Sequence, residues 1–349
     1  MAETIDRLDA VSRGRFDEII DVRSPAEFAL DHIPGAVNLP VLSDAERAAV
    51  GMIYVQDSRF RARRIGAALV ARNIAGHLEG ALKERPGGWA PLIYCWRGGQ
   101  RSAAMATVLE QVGWRVALVA GGYRTWRRRV TAALYDAEPA FEVVLIDGFT
   151  GVAKTEILGR VAALGVQAID LEGLAGHRGS LLGAVPGHPQ PSQKMFESWL
   201  LAALEALDPT RPTLVEAESS KIGDRMVPPT VWKAMARAPR IELRAPAGAR
   251  ASYLTGAYAD IASDLEALKA TLSRLPGRHG RKRLEAWLEL ARTGKLEALA
   301  AALMETHYDP AYERSSRIDV RPSLGTIDME TLDAAEQERA ARAVADLLR

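Results

Sequence analysis

The first two thirds of the chain alternate short apolar runs with longer stretches of mixed polarity. The apolar runs lie near residues 16–23, 91–94, 141–147 and 212–216. Runs of this length, bounded by polar residues, predict buried strands. After the second run, Met105, Val108, Leu109 and Val112 follow the i, i+3, i+4, i+7 spacing of one helix face. The order of strand, loop and helix predicts an α/β fold.

The last hundred residues follow a helical pattern instead. Pro276-Gly277 separates two helical stripes. The stripes consist of Leu265, Leu268, Leu272 and Leu275, and of Leu284, Trp287, Leu288 and Ala291. We interpret both as packing faces. The pattern divides the chain into residues 1–135, residues 136–245 and a helical region over residues 246–349, which forms a small bundle or packs on the second segment.

Composition narrows the class of protein. The 349 residues are 48% hydrophobic and 26% charged, which excludes a mostly disordered or collagen-like chain. Charge interrupts every apolar run well before 18 residues, so we predict no transmembrane helix. The opening MAETIDRLDA lacks the basic and apolar regions of a secretory signal, and we therefore expect a cytoplasmic protein. One cysteine, Cys95, excludes an internal disulfide and a cysteine-rich zinc site, and we predict no metal site.

Positive charge is concentrated in the first 135 residues, although the net charge is only +1. Such clusters are typical of solvated helix faces. Three of them in one chain also fit a polyanionic partner. We treat all three as candidate contacts to a nucleic-acid backbone. They comprise Arg59, Arg61, Arg63 and Arg64; Arg124, Arg127, Arg128 and Arg129; and Arg278, Arg281, Lys282 and Arg283.

Cys95 lies where a predicted strand ends and a glycine-containing loop opens a helix. Backbone N–H groups and the positive end of the helix favour an anion at this position. Arg97 and Arg101 add positive charge, so we expect the pKa of the thiol to fall. The alternative is that Cys95 is simply a small buried side chain. The loop also contains Trp96, Gly98 and Gly99, and its spacing fits the phosphate loop of cysteine phosphatases as well.

A second anion site is predicted after the strand at residues 141–147. Residues 148–155 read GFTGVAKT and nearly match the phosphate-binding pattern G-x-x-x-x-G-K-[ST]. We predict phosphate contacts from Gly148, Thr150, Gly151, Lys154 and Thr155, and Thr155 can hold a magnesium ion if one is present. Ala153 replaces a glycine, which costs about 1 kcal/mol or more if the position requires a positive φ.

Polar residues around this loop are further candidates. Residues 170–180 and 190–197 show no helical or strand periodicity, so we predict loops that contact substrate. The strand near residue 215 ends in acidic residues that suit a base or a metal partner, or simply a solvated strand end. The candidates from these segments are Glu172, His177, Arg178, Ser180, Gln193, Glu216, Glu218, Ser219 and Lys221.

Several short motifs together resemble a known family. Residues 21–23 (DVR), 32–36 (HIPGA), the Cys95 loop and residues 120–126 (AGGYRTW) look like a rhodanese domain. With further motifs included, the chain resembles the tRNA 2-selenouridine synthase family over nearly its whole length. These motifs are the P-loop, residues 171–180, residues 190–193, residues 216–223 and Tyr308-Asp309-Pro310. The resemblance implies a rhodanese-like α/β domain, then a P-loop NTPase-like parallel-sheet domain with a helical C-terminal extension.

The resemblance also implies a reaction. Wobble 2-thiouridine of certain tRNAs is converted to 2-selenouridine through an S-geranyl intermediate, with geranyl diphosphate and then selenophosphate as substrates. Lys154 and the P-loop would bind the diphosphate. Cys95, with Arg97 and Arg101, would deliver selenium, as a perselenide on its sulfur. No cofactor is implied, and an enzyme that makes selenophosphate would be a partner.

Three functions of other classes stay open on the residues alone. A rhodanese-type sulfurtransferase would need only Cys95. A P-loop kinase or nucleotide hydrolase acting on RNA would need only the P-loop. A non-catalytic RNA-binding module would need neither the activated thiol nor the phosphate loop.

Overall fold

The computed structural model describes residues 2–180, 183–259, 264–273, 275, 280–318 and 320–349. It divides into two compact units. The first unit comprises residues 1–137 and 191–206, and the second comprises residues 138–190 and 207–349. In the described part of the chain, no helix has the length and apolar character needed to cross a membrane.

The first unit alternates strands and helices as its sequence predicts. Ser24 precedes a helix that begins with Pro25, and the Glu27 carboxylate accepts a hydrogen bond from the Ser24 N–H. Its elements up to residue 136 are β1 (Glu3–Ile5), α1 (Ala10–Arg13), β2 (Glu18–Asp21), α2 (Pro25–Leu30), β3 (Ala36–Asn38), α3 (Asp44–Gln56), α4 (Arg59–Glu79), β4 (Pro91–Tyr94), α5 (Gln100–Val112), β5 (Ala117–Val119), α6 (Tyr123–Thr131) and a π-helical turn (Ala132–Asp136).

These strands form one parallel sheet. Its strand order is β1-β5-β4-β2-β3, with Asp21 opposite Tyr94 and Ile93 opposite Leu118 in register. Met105 and Leu109 of α5 are fully buried, as the helical spacing predicts, whereas Val112 at the end of that stripe is 53% exposed. The carboxyl end of the central strand β4 therefore leads directly into the Cys95 loop.

The chain after residue 137 contains the remaining elements. They are β6 (Val143–Gly148), α7 (Lys154–Ala163), β7 (Ala168–Ile169), α8 (Leu171–Ala175), α9 (Gln193–Glu205), β8 (Thr213–Glu216), β9 (Lys221–Ile222), β10 (Arg225–Met226), α10 (Pro229–Arg237), β11 (Arg240–Arg244), α11 (Ala247–Ala257), α12 (Leu265–Leu272), α13 (Arg281–Arg292), α14 (Leu296–Leu303), a π-helical turn (Met304–Tyr308), α15 (Asp309–Ile318), β12 (Ser323–Asp328) and α16 (Ala334–Leu347).

The second unit contains a parallel sheet of order β12-β11-β6-β8-β7 and a separate antiparallel pair, β9 and β10. The P-loop follows the central strand β6, and β8 lies beside it with Glu216 opposite Ile146. The helices α12, α13 and α14 share a core of their own. The predicted stripes supply this core through Leu268, Leu272, Trp287 and Ala291.

The structure differs from the predicted segments at residues 190–206. This stretch is not a loop, because Ser192 caps α9 and its hydroxyl accepts a hydrogen bond from the Met195 N–H. The apolar face of the helix continues through Leu200 and Leu201, beyond the short window that shows no periodicity. Residues 191–206 belong to the first unit, so residues 136–245 are not one continuous domain.

Candidate functional site

Cys95 is buried at the carboxyl end of β4, with donors directed at its sulfur. The Gly99 N–H donates to the Cys95 Sγ at 3.2 Å, and the Ser102 hydroxyl donates to it at 3.2 Å. Burial by itself raises the pKa of the thiol, but hydrogen bonds from Ser102, Gly99 and the Arg97 backbone outweigh it, so the pKa lies below its ordinary value. The geometry therefore favours a thiolate, or an anionic group carried on the sulfur.

Glycines allow two loops to meet behind the cysteine. Gly98 has φ +67° and Gly122 has φ +60°, a region that L side chains rarely adopt. A Cβ on Gly122 would lie 2.2 Å from the Cys95 carbonyl oxygen and 2.6 Å from the Gly98 nitrogen. The glycine-rich segment after β5 is thus required for the close approach that shapes the Cys95 loop.

The two loop arginines have different positions. Arg97 is exposed, and its backbone N–H is the group that acts on Cys95. The Arg101 guanidinium is paired with the Glu27 carboxylate at 2.8 Å, and Arg47 pairs with the same carboxylate at 2.9 Å. Hydrogen bonds, rather than these two guanidinium groups, are therefore the main reason that the pKa of Cys95 is low.

Beneath the loop lies a buried polar network. Arg23 forms an ion pair with Asp21 at 2.5 Å, and its guanidinium lies 4.1 Å from the centre of the Tyr123 ring. The Trp96 ring also stacks on the Tyr123 ring, and the two ring centroids are 5.1 Å apart. The Tyr123 hydroxyl donates to Asp31 at 2.5 Å. Asp31 and Tyr123 are 92 residues apart in the chain, so spacing alone does not reveal their contact. Nor does the sequence pattern identify Ser102, seven residues after Cys95, as a donor to the sulfur.

In the second unit, the P-loop lies between β6 and α7. Gly148 and Gly151 have positive φ values of 146° and 85°. Ala153 has φ +59°, so the position does require the left-handed conformation for which the pattern uses glycine. The Lys154 Nζ donates to the Gly148 carbonyl at 3.0 Å. The ammonium group therefore lies over the loop where a bound phosphate would be held.

Carboxyl groups surround the Thr155 hydroxyl. Thr155 donates to Glu216 at 2.5 Å and lies 3.2 Å from Glu172. Burial raises the pKa of both carboxyl groups, and the nearby Glu218 raises each further, against the lowering effect of Lys154. Both are therefore held largely in the neutral form near neutral pH. Among the described residues, no group of three or more His, Cys, Asp or Glu side chains is arranged to hold a metal ion.

A cavity of about 520 Å³ opens over the P-loop. Its wall combines Glu172, Arg178 and Ser180 with Glu218 and Ser219, which follow β8. The prediction of a loop over residues 170–180 is wrong for Leu171–Ala175, which form α8 behind the Asp170 cap. Other candidates lie elsewhere. His177 and Lys221 line a second, polar cavity of about 930 Å³ with Ser180. Gln193 lies in the first unit, where its amide donates to Glu197.

An apolar pocket of about 80 Å³ adjoins the cavity over the P-loop. The two share Thr150, Ser180, Leu254, Tyr258 and Tyr308. Helices α12 and α14 and the following π-helical turn complete the apolar wall, through Leu268, Leu299, Leu303 and Met304. The helical stripes of the C-terminal region predict packing only, so this second role of the region was not found from the sequence.

Arg250 connects the P-loop to the helical region. Its guanidinium donates to the Thr150 carbonyl at 3.1 Å and forms a bidentate pair with Asp309 at 2.9 and 2.8 Å. Asp309 belongs to the Tyr308-Asp309-Pro310 motif, whereas Arg250 carries no local signal. Arg250 is only 5% exposed, whereas the Asp309 side chain is 21% exposed, so the guanidinium is the more buried partner of this ion pair.

The basic clusters are not equivalent. All four arginines at residues 59–64 are exposed, as are Arg124, Arg128, Arg281, Lys282 and Arg283. Arg127 is instead paired with Glu197, and Arg129 pairs with Glu205 at 2.6 Å. Both acidic partners are on α9, and the sequence pattern places the residues of that helix in the second segment, residues 136–245. We therefore withdraw Arg127 and Arg129 as candidates for phosphate contacts. Arg278 lies outside the described residues.

Comparison with known proteins yields two family profiles. The profile described as "Rhodanese-like domain" matches residues 3–129, and that described as "tRNA 2-selenouridine synthase AAA domain" matches residues 141–273. A protein named tRNA 2-selenouridine synthase from Chromohalobacter salexigens is 36% identical, with 84% of this chain and 86% of that protein covered. This chain belongs to the tRNA 2-selenouridine synthase family.

Two further members of the family show the same extent of similarity. Proteins of that name from Cupriavidus pinatubonensis and Aeromonas salmonicida are 32% and 33% identical. The alignments cover 87% and 84% of this chain, and 91% and 86% of those proteins. Family membership and the predicted pair of rhodanese-like and P-loop domains are thereby confirmed. Ala153 departs from the general phosphate-binding pattern, yet the loop that contains it still joins β6 to α7.

Proposed function

We propose that this protein is a tRNA 2-selenouridine synthase that exchanges the sulfur of wobble 2-thiouridine for selenium through an S-geranyl intermediate. Its membership of the family supports the overall reaction. We further propose that geranyl diphosphate binds at the P-loop and that selenium, supplied as selenophosphate by a separate enzyme, is delivered at Cys95. Because its substrate is tRNA, we propose that the protein acts in the cytoplasm.

The continuity of the P-loop cavity with an apolar pocket carries this proposal. A prenyl diphosphate has a doubly charged head and an apolar tail, and the two adjoining spaces offer a matching environment for each. A nucleotide that bound with its phosphates in the P-loop and its nucleoside in this pocket would place a polar ribose and base against Leu254, Leu299 and Leu303. The site therefore favours prenyl transfer over nucleotide hydrolysis.

In the first step, the 2-thio sulfur attacks C1 of geranyl diphosphate. The new C–S bond forms as the C1–O bond breaks, diphosphate leaves with the electron pair, and the uracil N3 proton passes to a base. Lys154 and the backbone N–H groups of the P-loop stabilise the charge that develops on the leaving diphosphate. This use of a phosphate loop requires no nucleotide.

In the second step, the selenium of selenophosphate, held in the Cys95 loop, attacks C2 of the alkylated base. The C2–S bond breaks, and geranylthiolate leaves with that electron pair and takes up a proton. Water then cleaves the P–Se bond, so that phosphate is released and selenium stays on C2. The donors that lower the pKa of the Cys95 thiol would equally stabilise an anion bound at this position. S-alkylation helps because a thiolate leaves more readily from an S-alkyl base than sulfide does from a thiocarbonyl.

The test is mass spectrometry of 2-thiouridine tRNA incubated with geranyl diphosphate and then with selenophosphate. We expect Lys154→Ala to block the geranyl adduct and Cys95→Ser to form the adduct but stop before selenium enters. If the native protein forms no adduct on any 2-thiouridine tRNA, the geranyl route is wrong. Persulfide formation from thiosulfate without tRNA would then favour a sulfurtransferase, and tRNA-stimulated nucleotide turnover that survives Cys95→Ser would favour a hydrolase.

The apolar pocket is tested separately by calorimetry. Leu303→Gln is expected to weaken binding of geranyl diphosphate about tenfold or more, because a buried polar amide replaces apolar contact. Binding of inorganic diphosphate to the same variant should be unchanged. Equal losses for both ligands would show that the substitution damages the P-loop and would contradict the assignment of the tail to this pocket.

A further inference from the structure

The helices α3 and α4 form a hairpin in the first unit with an unusually apolar and basic surface. Tyr54, Val55 and Phe60 near its tip are 43%, 82% and 76% exposed. Soluble proteins rarely expose several large apolar side chains together without a binding role. The exposed arginines at residues 59, 61, 63 and 64 lie in the same segment. Two exposed aromatic side chains and four exposed arginines therefore lie within residues 54–64 around the tip.

A groove leads from this tip to the start of α5. It has a volume of about 770 Å³ and is lined by Tyr54, Val55 and Arg63 at one end and by Gln100 and Arg101 at the other. Gly51, Gly66 and Ala67 contribute to its lining, and these small residues leave room for a flat group. Because α5 begins directly after the Cys95 loop, the groove ends at the first residues of the helix that follows the activated thiol.

The arginines at the hairpin tip are poorly compensated, whereas Arg47 and Arg101 in the groove both pair with Glu27. Arg61 pairs with Asp57 at 2.6 Å. Within the part of the chain that the structure describes, no carboxylate lies within ion-pair distance of Arg59, Arg63 or Arg64. The Arg59 guanidinium instead lies 5.6 Å from the centre of the Tyr54 ring. An occupant that supplies anions and flat rings would complement all of these groups.

We propose that this groove, with the hairpin tip, binds unpaired nucleotides of the RNA substrate. Tyr54 and Phe60 stack on bases, and Arg59, Arg63 and Arg64 contact phosphates. Stacking on aromatic side chains combined with a basic track is the general solution for single-stranded nucleic acids. The inference rests on the proposed function for the identity of the RNA, but the site itself is assigned from charge and exposure. The alternative occupant is a protein partner, which would need acidic groups to match the arginines. The tests below distinguish it from RNA.

The first test measures binding of 2-thiouridine tRNA by fluorescence anisotropy over a range of salt concentrations. The triple variant Arg59→Gln/Arg63→Gln/Arg64→Gln should lower the slope of log Kd against log salt by about two, since each phosphate contact contributes about 0.7 to 0.9. The matched control Arg292→Gln/Arg342→Gln/Arg349→Gln removes three exposed arginines of the second unit. It should leave the slope unchanged.

The second test addresses stacking. Phe60→Ala and Tyr54→Ala should each weaken tRNA binding about fivefold or more at an unaltered salt slope, because stacking involves no counterion release. Trp232→Ala, at a partly exposed aromatic residue of α10, serves as the control. Ultraviolet crosslinking should join tRNA to peptides that contain Tyr54 or Phe60. An unchanged rate of Cys95 alkylation in each variant shows that the first unit is folded.

The outcomes separate this inference from the proposed function. If the native protein converts tRNA while the triple variant binds it with an unchanged salt slope and no crosslink forms, the groove does not bind RNA and the face belongs to a protein partner. If the native protein binds tRNA through the groove but produces neither geranylated nor selenated base, the groove assignment holds and the proposed function fails. Both binding measurements are independent of turnover.

Discussion

At the scale of single residues, the chemistry of Cys95 depends on groups that donate hydrogen bonds to its sulfur. The Ser102 hydroxyl lies on the first turn of α5, where it reaches the sulfur at 3.2 Å and is itself 1% exposed. A hydrogen bond to a charged group in such surroundings contributes about 1.5 to 3 kcal/mol. Ser102 is therefore expected to have a larger effect on the thiolate than either nearby arginine side chain.

We predict that Ser102→Ala raises the pKa of the Cys95 thiol, because the thiolate loses a hydrogen bond that stabilises it relative to the thiol. The pH dependence of the rate of alkylation by iodoacetamide measures this pKa. Thr107→Ala removes an exposed hydroxyl from the same helix and serves as the control. Equal pKa values in the two variants would contradict the role of Ser102.

Gly122 allows a similarly sharp comparison. Gly122→Ala should destabilise the first unit by about 2 kcal/mol or more and slow alkylation of Cys95, because the new Cβ meets backbone atoms of the Cys95 loop and φ is positive. Gly99→Ala is the matched control, since its Cβ would meet nothing within 4 Å. Urea unfolding and the alkylation rate measure both effects. Similar losses in the two variants would show that the Gly122 contact is unimportant.

At the scale of elements, the P-loop is held from two sides. Strand β8 brings Glu216 to the first turn of α7, where Thr155 donates to it. Helices α11 and α15 supply the Arg250–Asp309 pair that fixes the Thr150 carbonyl. The loop conformation is therefore a property of four elements, although its sequence motif occupies only one junction.

The neutral carboxyl groups beside Thr155 predict a pH dependence of stability. Because their pKa values are raised in the folded state, the folded protein binds more protons than the unfolded chain above the ordinary carboxyl range, and stability must fall as pH rises through neutrality. Glu216→Gln mimics the neutral form and should reduce this loss between about pH 6 and about pH 9. Urea unfolding at these two pH values measures the loss of stability, and Glu330→Gln, at an exposed carboxylate, serves as the control. A pH dependence identical to that of the native chain would exclude Glu216 as a cause.

The Arg250–Asp309 pair predicts a large loss when only one partner is changed. Asp309→Asn should cost about 3 kcal/mol in urea unfolding, because it leaves the buried guanidinium uncompensated. The double variant Arg250→Met/Asp309→Leu should recover part of that loss. Glu289→Gln breaks the exposed pair with Arg292 and should cause a much smaller loss than Asp309→Asn. If the loss of stability in the double variant equals the sum of the losses measured when each partner is changed alone, the two side chains are not coupled.

At the scale of the whole molecule, the first unit is completed by a segment from much later in the chain. Ser198 of α9 accepts a hydrogen bond from the Trp126 indole at 2.9 Å and donates to Asp31 at 2.7 Å. Tyr135 donates to Glu197 at 2.6 Å. Trp126, Ser198, Asp31 and Glu197 are buried, whereas Tyr135 is 41% exposed. The rhodanese-like unit therefore includes a helix that is inserted within the sequence of the P-loop domain.

We predict that a fragment of residues 1–137 is less stable than the same unit in the full chain. Without α9, the Asp31 carboxylate and the Trp126 indole lose buried partners, which costs about 1 to 3 kcal/mol for each unsatisfied group. Tryptophan fluorescence should shift to longer wavelength in the fragment. Addition of a peptide of residues 191–206 should reverse the shift, whereas a peptide with Ser198 and Glu197 changed to Ala should not. A fragment as stable as the full chain would contradict this account.

Local patterns determined much of this protein. The strand before Cys95, the helix after it, the start of α2 at Ser24 and the P-loop at residues 148–155 follow from apolar spacing, capping residues and glycine positions, which act over a few neighbours. Ala153 could be identified as a departure from the pattern, and the need for a positive φ was a conditional prediction that the backbone meets. Family membership followed from the order of these motifs.

Contacts between distant residues were decided only by the tertiary structure. No local signal pairs Arg127 with Glu197, places α9 in the first unit, or brings Arg250 to Thr150 and Asp309. The apolar pocket beside the P-loop could not be predicted for the same reason, because a stripe of leucines has the same sequence pattern whether it fills a core or lines a cavity. Periodicity records which face of a helix is apolar, whereas the partner of that face depends on how elements far apart in the chain pack together.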